Sequence, residues 1–108
     1  AQYNLGLMYA NGEGVPENDA EAVKWYRKAA DHGHADAQNN LGLMYAMGNG
    51  VPENSIRAYV WLSMAKTQGQ TNAAKVLDII KPDMTKQQIA DGQALAAKCY
   101  ESDYKDCD

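Results

Sequence analysis

The sequence predicts an all-α fold in which antiparallel helix pairs stack into a solenoid, and three observations carry that prediction. The stretch LGLMYANGEGVPEN, from Leu5 to Asn18, returns as LGLMYAMGNGVPEN from Leu41 to Asn54, with 12 of 14 positions identical at an offset of 36 residues. Residues 1–36 align with residues 37–72 without a gap and share 19 identities. A fixed period of this size marks stacked units, each too small to bury its apolar face alone. Composition agrees: alanine is plentiful, Phe is absent and there are only 3 Pro in 108 residues, which leans towards helix.

Each unit reads as two helices. Leu5, Met8 and Tyr9 recur at helical spacing, and Gly12 stands where a glycine would end the first helix. The segment GEGVPEN cannot continue it, because Pro16 removes a backbone donor and the glycines favour turn geometry. Asn18 then offers an N-cap with Glu21 as its capping-box partner. The second helix carries Ala22, Val23, Trp25, Tyr26, Ala29 and Ala30 and stops at Gly33. His32 falls in its last turn, where a cation suits the helix dipole, and Asp36 is placed to cap the next helix. Gly6 and Gly42 sit inside helices, where glycine costs about 1 kcal/mol relative to alanine, so a close approach of the second helix is expected there. Ala22, Ala29, Ala58 and Ala65 supply small residues on the facing side.

The third unit degenerates. Ala73 and Leu77 keep their places, but Asp78 stands where the glycine was, Lys81 replaces the tyrosine, and Pro82 ends the helix early. Thr85 with Gln88 forms a second capping box and opens a helix running to about Tyr100, its apolar positions Ile89, Leu95, Ala96 and Cys99 being sparse. A last element with one polar face is how a stack of repeats terminates. The expected organisation is therefore one domain: repeats at 1–36 and 37–72, a degenerate unit with a capping helix at 73–100, and a tail at 101–108.

The bulk numbers exclude some functions. A net charge of −4, with the 10 basic residues scattered among acids, argues against a nucleic-acid partner, which needs clustered Lys and Arg. No apolar run approaches the roughly 20 residues that cross a bilayer. The chain starts in register with the repeat and without a methionine, so it reads as the C-terminal fragment of a longer stack. Its 2 cysteines, Cys99 and Cys107, lack the further ligands that zinc requires. Two free thiols are one reading; a disulfide tying the polar tail to the preceding helix fits better, and it implies an oxidising compartment, periplasmic or extracellular.

The stretch AQYNLGLMYANGEGVPENDAEAVKWYRKAADHGHADA resembles a Sel1-like repeat, a relative of the tetratricopeptide repeat. The family pattern of an A-x-x-x-L-G-x-x-Y helix, a G-x-G-V loop and an A-x-x-W-Y-x-x-A-A-x-x-G helix is met almost word for word, and the resemblance covers residues 1–72 in two units. The resemblance implies a right-handed superhelix of helix pairs with a concave surface for protein contacts. The closing helix and Cys-bearing tail also resemble those of secreted family members.

A search for catalytic chemistry finds little. His32 and His34, flanked by Asp31 and Asp36, could be imagined as a metal site, but the equivalent turn one period on carries Gln68 and Gln70, which favours a plain polar turn. No serine stands in a nucleophile-elbow pattern, and GEG and GNG are too short to cradle a phosphate. Trp25, Trp61, Tyr9 and Tyr45 read as core residues at helical spacing beside alanines. No cofactor is called for. The tetratricopeptide-like geometry that the resemblance implies turns Tyr3, Leu7 and Asn11 into the groove, followed by Asn39, Leu43 and Met47, and then Lys75 and Ile79. Such a line suits an extended peptide or helix of another protein, although Leu7 and Leu43 are equally suited to packing between units. Met47 replaces Asn11 where nearly everything else is copied, and a thioether suits an adaptable surface. The reading is a non-enzymatic scaffold that binds a protein or peptide. The alternative is an enzyme acting on cell-wall or lactam substrates: cysteine-rich family members are linked with penicillin binding, but they carry a cysteine pair within each repeat, which both units here lack. A further expectation is pairing of two copies through the uncapped face of Ala1, Leu5 and Met8.

Overall fold

The computed structural model describes residues 2–107, and among these it contains six α-helices and no strand. Ala1, assigned above to the pairing face, lies outside the described residues. The helices are α1 (Gln2–Asn11), α2 (Asp19–Asp31), α3 (Ala35–Met47), α4 (Ser55–Thr67), α5 (Thr71–Ile80) and α6 (Lys86–Glu101). Within the repeated segments α1 packs on α2 and α3 on α4, and α2 packs on α3 to join the pairs. The molecule extends 42 × 27 × 23 Å, an elongated stack. Asn40 Nδ2 donates to Tyr3 Oη at 3.4 Å and α3 touches α5, so the first helices form one layer. Arg27 reaches over the Trp61 ring at 5.2 Å and α6 packs on α4, so α2, α4 and α6 form the other.

Local chemistry accounts for the helix ends. Asn18 and Asn54 adopt extended backbone and accept from the N–H groups of Glu21 and Arg57 at 3.1 and 3.0 Å, satisfying donors that no helical carbonyl reaches. Thr85 and Gln88 make both bonds of the capping box, at 3.0 and 2.9 Å. Pro82 falls in a 3₁₀ turn, Lys81–Asp83, directly after α5. One cap differs from expectation. His34, not Asp36, caps α3, its Nδ1 accepting from Ala37 N–H at 3.2 Å, while Asp36 sits inside the first turn.

The helical glycines are seats for side chains. A Cβ on Gly6 would stand 2.6 Å from the Tyr26 ring, and one on Gly42 would stand 2.6 Å from Leu62 Cγ and 3.3 Å from the Ala58 carbonyl oxygen. The close approach is thus made by Tyr26 and Leu62, with Ala58 beside the second seat, rather than by a facing row of alanines. Gly42→Ala should destabilise by about 1–2 kcal/mol in urea titration, because overpacking outweighs the helix-propensity gain of about 1 kcal/mol. An equal or greater stability would show that Leu62 can retreat.

The same device recurs, displaced, beyond the second helix pair. At the phase of Gly6 and Gly42, α5 carries Asp78 and has no seat to offer. The seat has moved to α6, where a Cβ on Gly92 would stand 2.7 Å from the Tyr59 ring of α4. Accordingly α6 packs chiefly on α4 and not on α5. Beyond α6 the tail turns back, Tyr104 N–H bonds to the Cys99 carbonyl oxygen at 2.9 Å, and Cys99 and Cys107 are joined in a disulfide with both residues fully buried. The Tyr104 ring lies over Gly33, 3.2 Å from where a Cβ would be, so the tail of the third unit touches the turn between α2 and α3.

Burial follows position in the stack. Leu41, Met44 and Tyr45 are buried, whereas their counterparts Leu5, Met8 and Tyr9 in α1 are half-buried. Trp61 is fully buried, but Trp25 is only half-buried, with the Lys28 ammonium 4.3 Å from its ring centroid. The expectation that both tryptophans are core holds for Trp61 alone, because Trp61 lies in α4, which packs on α3, α5 and α6, while α2 packs on α1 and α3.

Candidate functional site

The residues expected to line a groove divide by depth. Tyr3 is half-buried: its ring stacks on His34 at 4.6 Å and tilts against Tyr26 at 5.9 Å. Leu7 is half-buried against the core and Asn11 is exposed. Asn39, the counterpart of Tyr3, is a correction to the surface reading, being only 5% exposed. Its Nδ2 donates to Asn40 Oδ1 at 3.3 Å, and among the described residues its own Oδ1 has no hydrogen-bond partner. Leu43 is half-buried, Lys75 is exposed, and Met47 and Ile79 are 57% and 70% exposed. The apolar exposure of this layer therefore concentrates towards the C-terminal ends of α3 and α5.

The joint between the helix pairs is built from amides that sequence reading passed over. Gln38 is fully buried and donates to the Ala30 carbonyl oxygen at 3.1 Å, and Gln68 Nε2 donates to Gln38 Oε1 at 2.8 Å. Gln70 bonds to Asp36 alongside. The Ala30 carbonyl oxygen, which also accepts from the Gly33 N–H at 2.9 Å, thereby gains a side-chain donor, and the end of α2, the start of α3 and the end of α4 are tied together. The available signal was Gln2 and Gln38, a glutamine repeated at one phase of a helix otherwise rich in apolar residues. At the other edge, Gln2, Tyr3, Ala29, His32, Gly33 and His34 line an open hollow of about 580 Å³. A second hollow of about 360 Å³ lies between α4 and α6, lined by Tyr59, Met64, Ala96 and Tyr100 among others.

His32 and His34 serve backbone roles: His32 Nδ1 bonds the Lys28 carbonyl oxygen at 2.8 Å, and His34 caps α3. Among the described residues, no group of three or more His, Cys, Asp or Glu side chains is placed to hold a metal ion. Burial pushes the Tyr26 hydroxyl above the ordinary 10.0, overcoming a hydrogen bond with Asn40 that acts in the opposite direction. The folded state thus holds this proton more tightly than the unfolded chain. Its stabilisation is complete below the unfolded value and is lost as pH rises through the folded one. Above pH 10, Tyr26→Phe should lose less stability per pH step than the wild type, measured by urea midpoints. Parallel curves would refute the assignment to Tyr26.

Two stacked helix pairs of one period, tied by glycine seats and a buried glutamine, are matched by a known repeat. The Sel1 repeat family model matches residues 1–34 and again residues 35–70. The chain belongs to the Sel1 repeat family. Its α-solenoid architecture is shared with solved Sel1-type structures. One is c5321, a protective antigen present in uropathogenic Escherichia coli strains that displays an SLR fold: TM-score 0.88, 29% identity, covering 95% of this chain and 23% of that one. Another is a Sel1 repeat protein from Oxalobacter formigenes: TM-score 0.70, 39% identity, covering 71% of this chain and 58% of that one. This Sel1 repeat chain therefore spans about a quarter and three-fifths of the lengths of these two proteins.

Proposed function

We propose that this Sel1 repeat chain is a non-catalytic scaffold that binds a peptide or protein segment along the layer formed by α1, α3 and α5. The observation that supports the reading is the exposure of Met47 and Ile79, 57% and 70%, beside half-buried Leu43 in a chain whose other large aliphatic side chains are buried or half-buried. Exposed apolar groups that cluster on one face mark interaction surfaces. Their setting suits an extended or helical partner, with Asn11 and Lys75 offering polar contacts at its edge. The buried disulfide supports a working place in an oxidising compartment, the periplasm or the exterior.

The test is a crosslinking capture from the envelope fraction of the source cell, with wild type compared against Leu43→Glu/Met47→Glu/Ile79→Glu. Tyr100→Glu, on the opposite layer, is the control, and circular dichroism must show all three chains folded. Loss of two or three apolar anchors should reduce capture by at least about tenfold while the control retains it. Equal capture by the triple variant would remove the site from this layer; loss in the control instead would move it to the hollow between α4 and α6.

A further inference from the structure

Two Asn-Gly dipeptides occur in the chain, Asn11–Gly12 and Asn49–Gly50. The pair is chemically unusual. A glycine lacks the Cβ that shields its amide, so its nitrogen can reach the side-chain carbonyl carbon of the preceding asparagine and close a five-membered ring. What decides the rate is whether that nitrogen is free and the backbone between the two residues can turn.

The two sites differ in this respect. Asn11 is the last residue of α1. Its backbone is helical, so ring closure at the first site has to unwind the last turn of α1. Asn49–Gly50 lies beyond the helix in the loop that precedes α4, with both residues exposed. Asn49 N–H is held by the Met44 carbonyl oxygen at 3.0 Å, but among the described residues neither the Asn49 side chain nor the Gly50 N–H has a hydrogen bond. The dipeptide arises where the first unit has Glu13–Gly14, so the second unit alone carries Asn-Gly at this place.

We infer that Asn49 is a self-modifying site, converted without a catalyst to aspartyl and isoaspartyl residues. Gly50 N attacks Asn49 Cγ, its proton passes to solvent base, and the Cγ–Nδ2 bond breaks to release ammonia. Water then opens the succinimide. Addition at Cγ gives aspartate, and addition at the main-chain carbonyl carbon gives isoaspartate, whose backbone runs through the former side chain. The net change is one water consumed and one ammonia lost.

The location gives the reaction a consequence. Gly50 is seated on the first turn of α2: a Cβ there would stand 2.5 Å from the Asp19 carbonyl oxygen and 2.9 Å from Ala20 N. The isoaspartyl product lengthens the main chain by one methylene directly before this seat and unseats the loop. The aspartyl product leaves the backbone unchanged. Isomerisation therefore loosens the joint between the first and second helix pairs.

The experiment is incubation of the purified chain in mildly alkaline buffer at body temperature, followed by peptide mass spectrometry. Isoaspartate is read by enzymatic methyl transfer from S-adenosylmethionine. The peptide holding Asn49 should gain mass at least about tenfold faster than the one holding Asn11, and in concentrated urea the two rates should converge, since local structure no longer protects Asn11. Asn49→Gln should abolish the fast phase. Hydrogen exchange of the first turn of α2 should rise in the isoaspartyl fraction and stay near wild type in Asn49→Asp. Equal rates at the two sites in the folded chain, no change at Asn49, or a ratio that persists in urea would each overturn the inference.

Discussion

Trp61→Ala should destabilise the fold by about 3–5 kcal/mol, the cost of emptying a fully buried aromatic site. A domain of this size has roughly 5–15 kcal/mol in total, so the variant should sit close to its unfolding threshold. None of the loss comes from a side-chain hydrogen bond, because among the described residues Trp61 Nε1 has no partner. It comes from the contacts of the ring in α4 and from Arg27, whose guanidinium lies 5.2 Å from the ring centroid. Trp25→Ala, one period earlier, should cost less than half as much, since that side chain is only half-buried, with the Lys28 ammonium 4.3 Å from its ring centroid. Urea unfolding followed by circular dichroism measures both. Equal losses would mean that a covering surface also buries Trp25 in solution.

The second large effect is at the C-terminal disulfide. Opening the Cys99–Cys107 bond with Cys107→Ser should cost about 2–3 kcal/mol by the loop-closure argument, as the sequence separation is only 8 residues. The structure adds a local signature to that number. Tyr104 lies within the closed loop and over Gly33, so release of the tail should raise hydrogen exchange at the turn between α2 and α3. The Cys99 side of α6 should be affected as well, while α1 should not. A stability loss with no change at that turn would show that the tail acts only on its own helix.

Much of this molecule is legible because its decisive signals are local. Asn18, Asn54 and Thr85 open helices through bonds to residues three positions away, and Pro82 closes one by lacking a donor. Such signals act within a turn and read the same in any context, and the period of the repeat then implies stacking because a lone pair has nowhere to hide its apolar face. The disulfide was legible for a similar reason, as the two cysteines stand only 8 residues apart, one in α6 and one in the tail that follows it.

Tertiary structure decided what identical letters do at different places. Leu5 and Leu41, or Trp25 and Trp61, occupy the same phase, yet burial depends on how many neighbouring helices cover them, and that count changes from the edge of the stack to its middle. Asn39 shows the same effect among the residues expected to face a partner, since the position that is half-buried as Tyr3 in α1 becomes an interior one in α3. The choice of α4 as the partner of α6 rests on Gly92, a glycine whose purpose is visible only when Tyr59 is seen lying on it. A sequence specifies each helix through contacts within a few residues; which of its faces meets water is set by chain segments 30 or more residues away, as in the bond from Gln68 to Gln38, and those are positioned by packing alone.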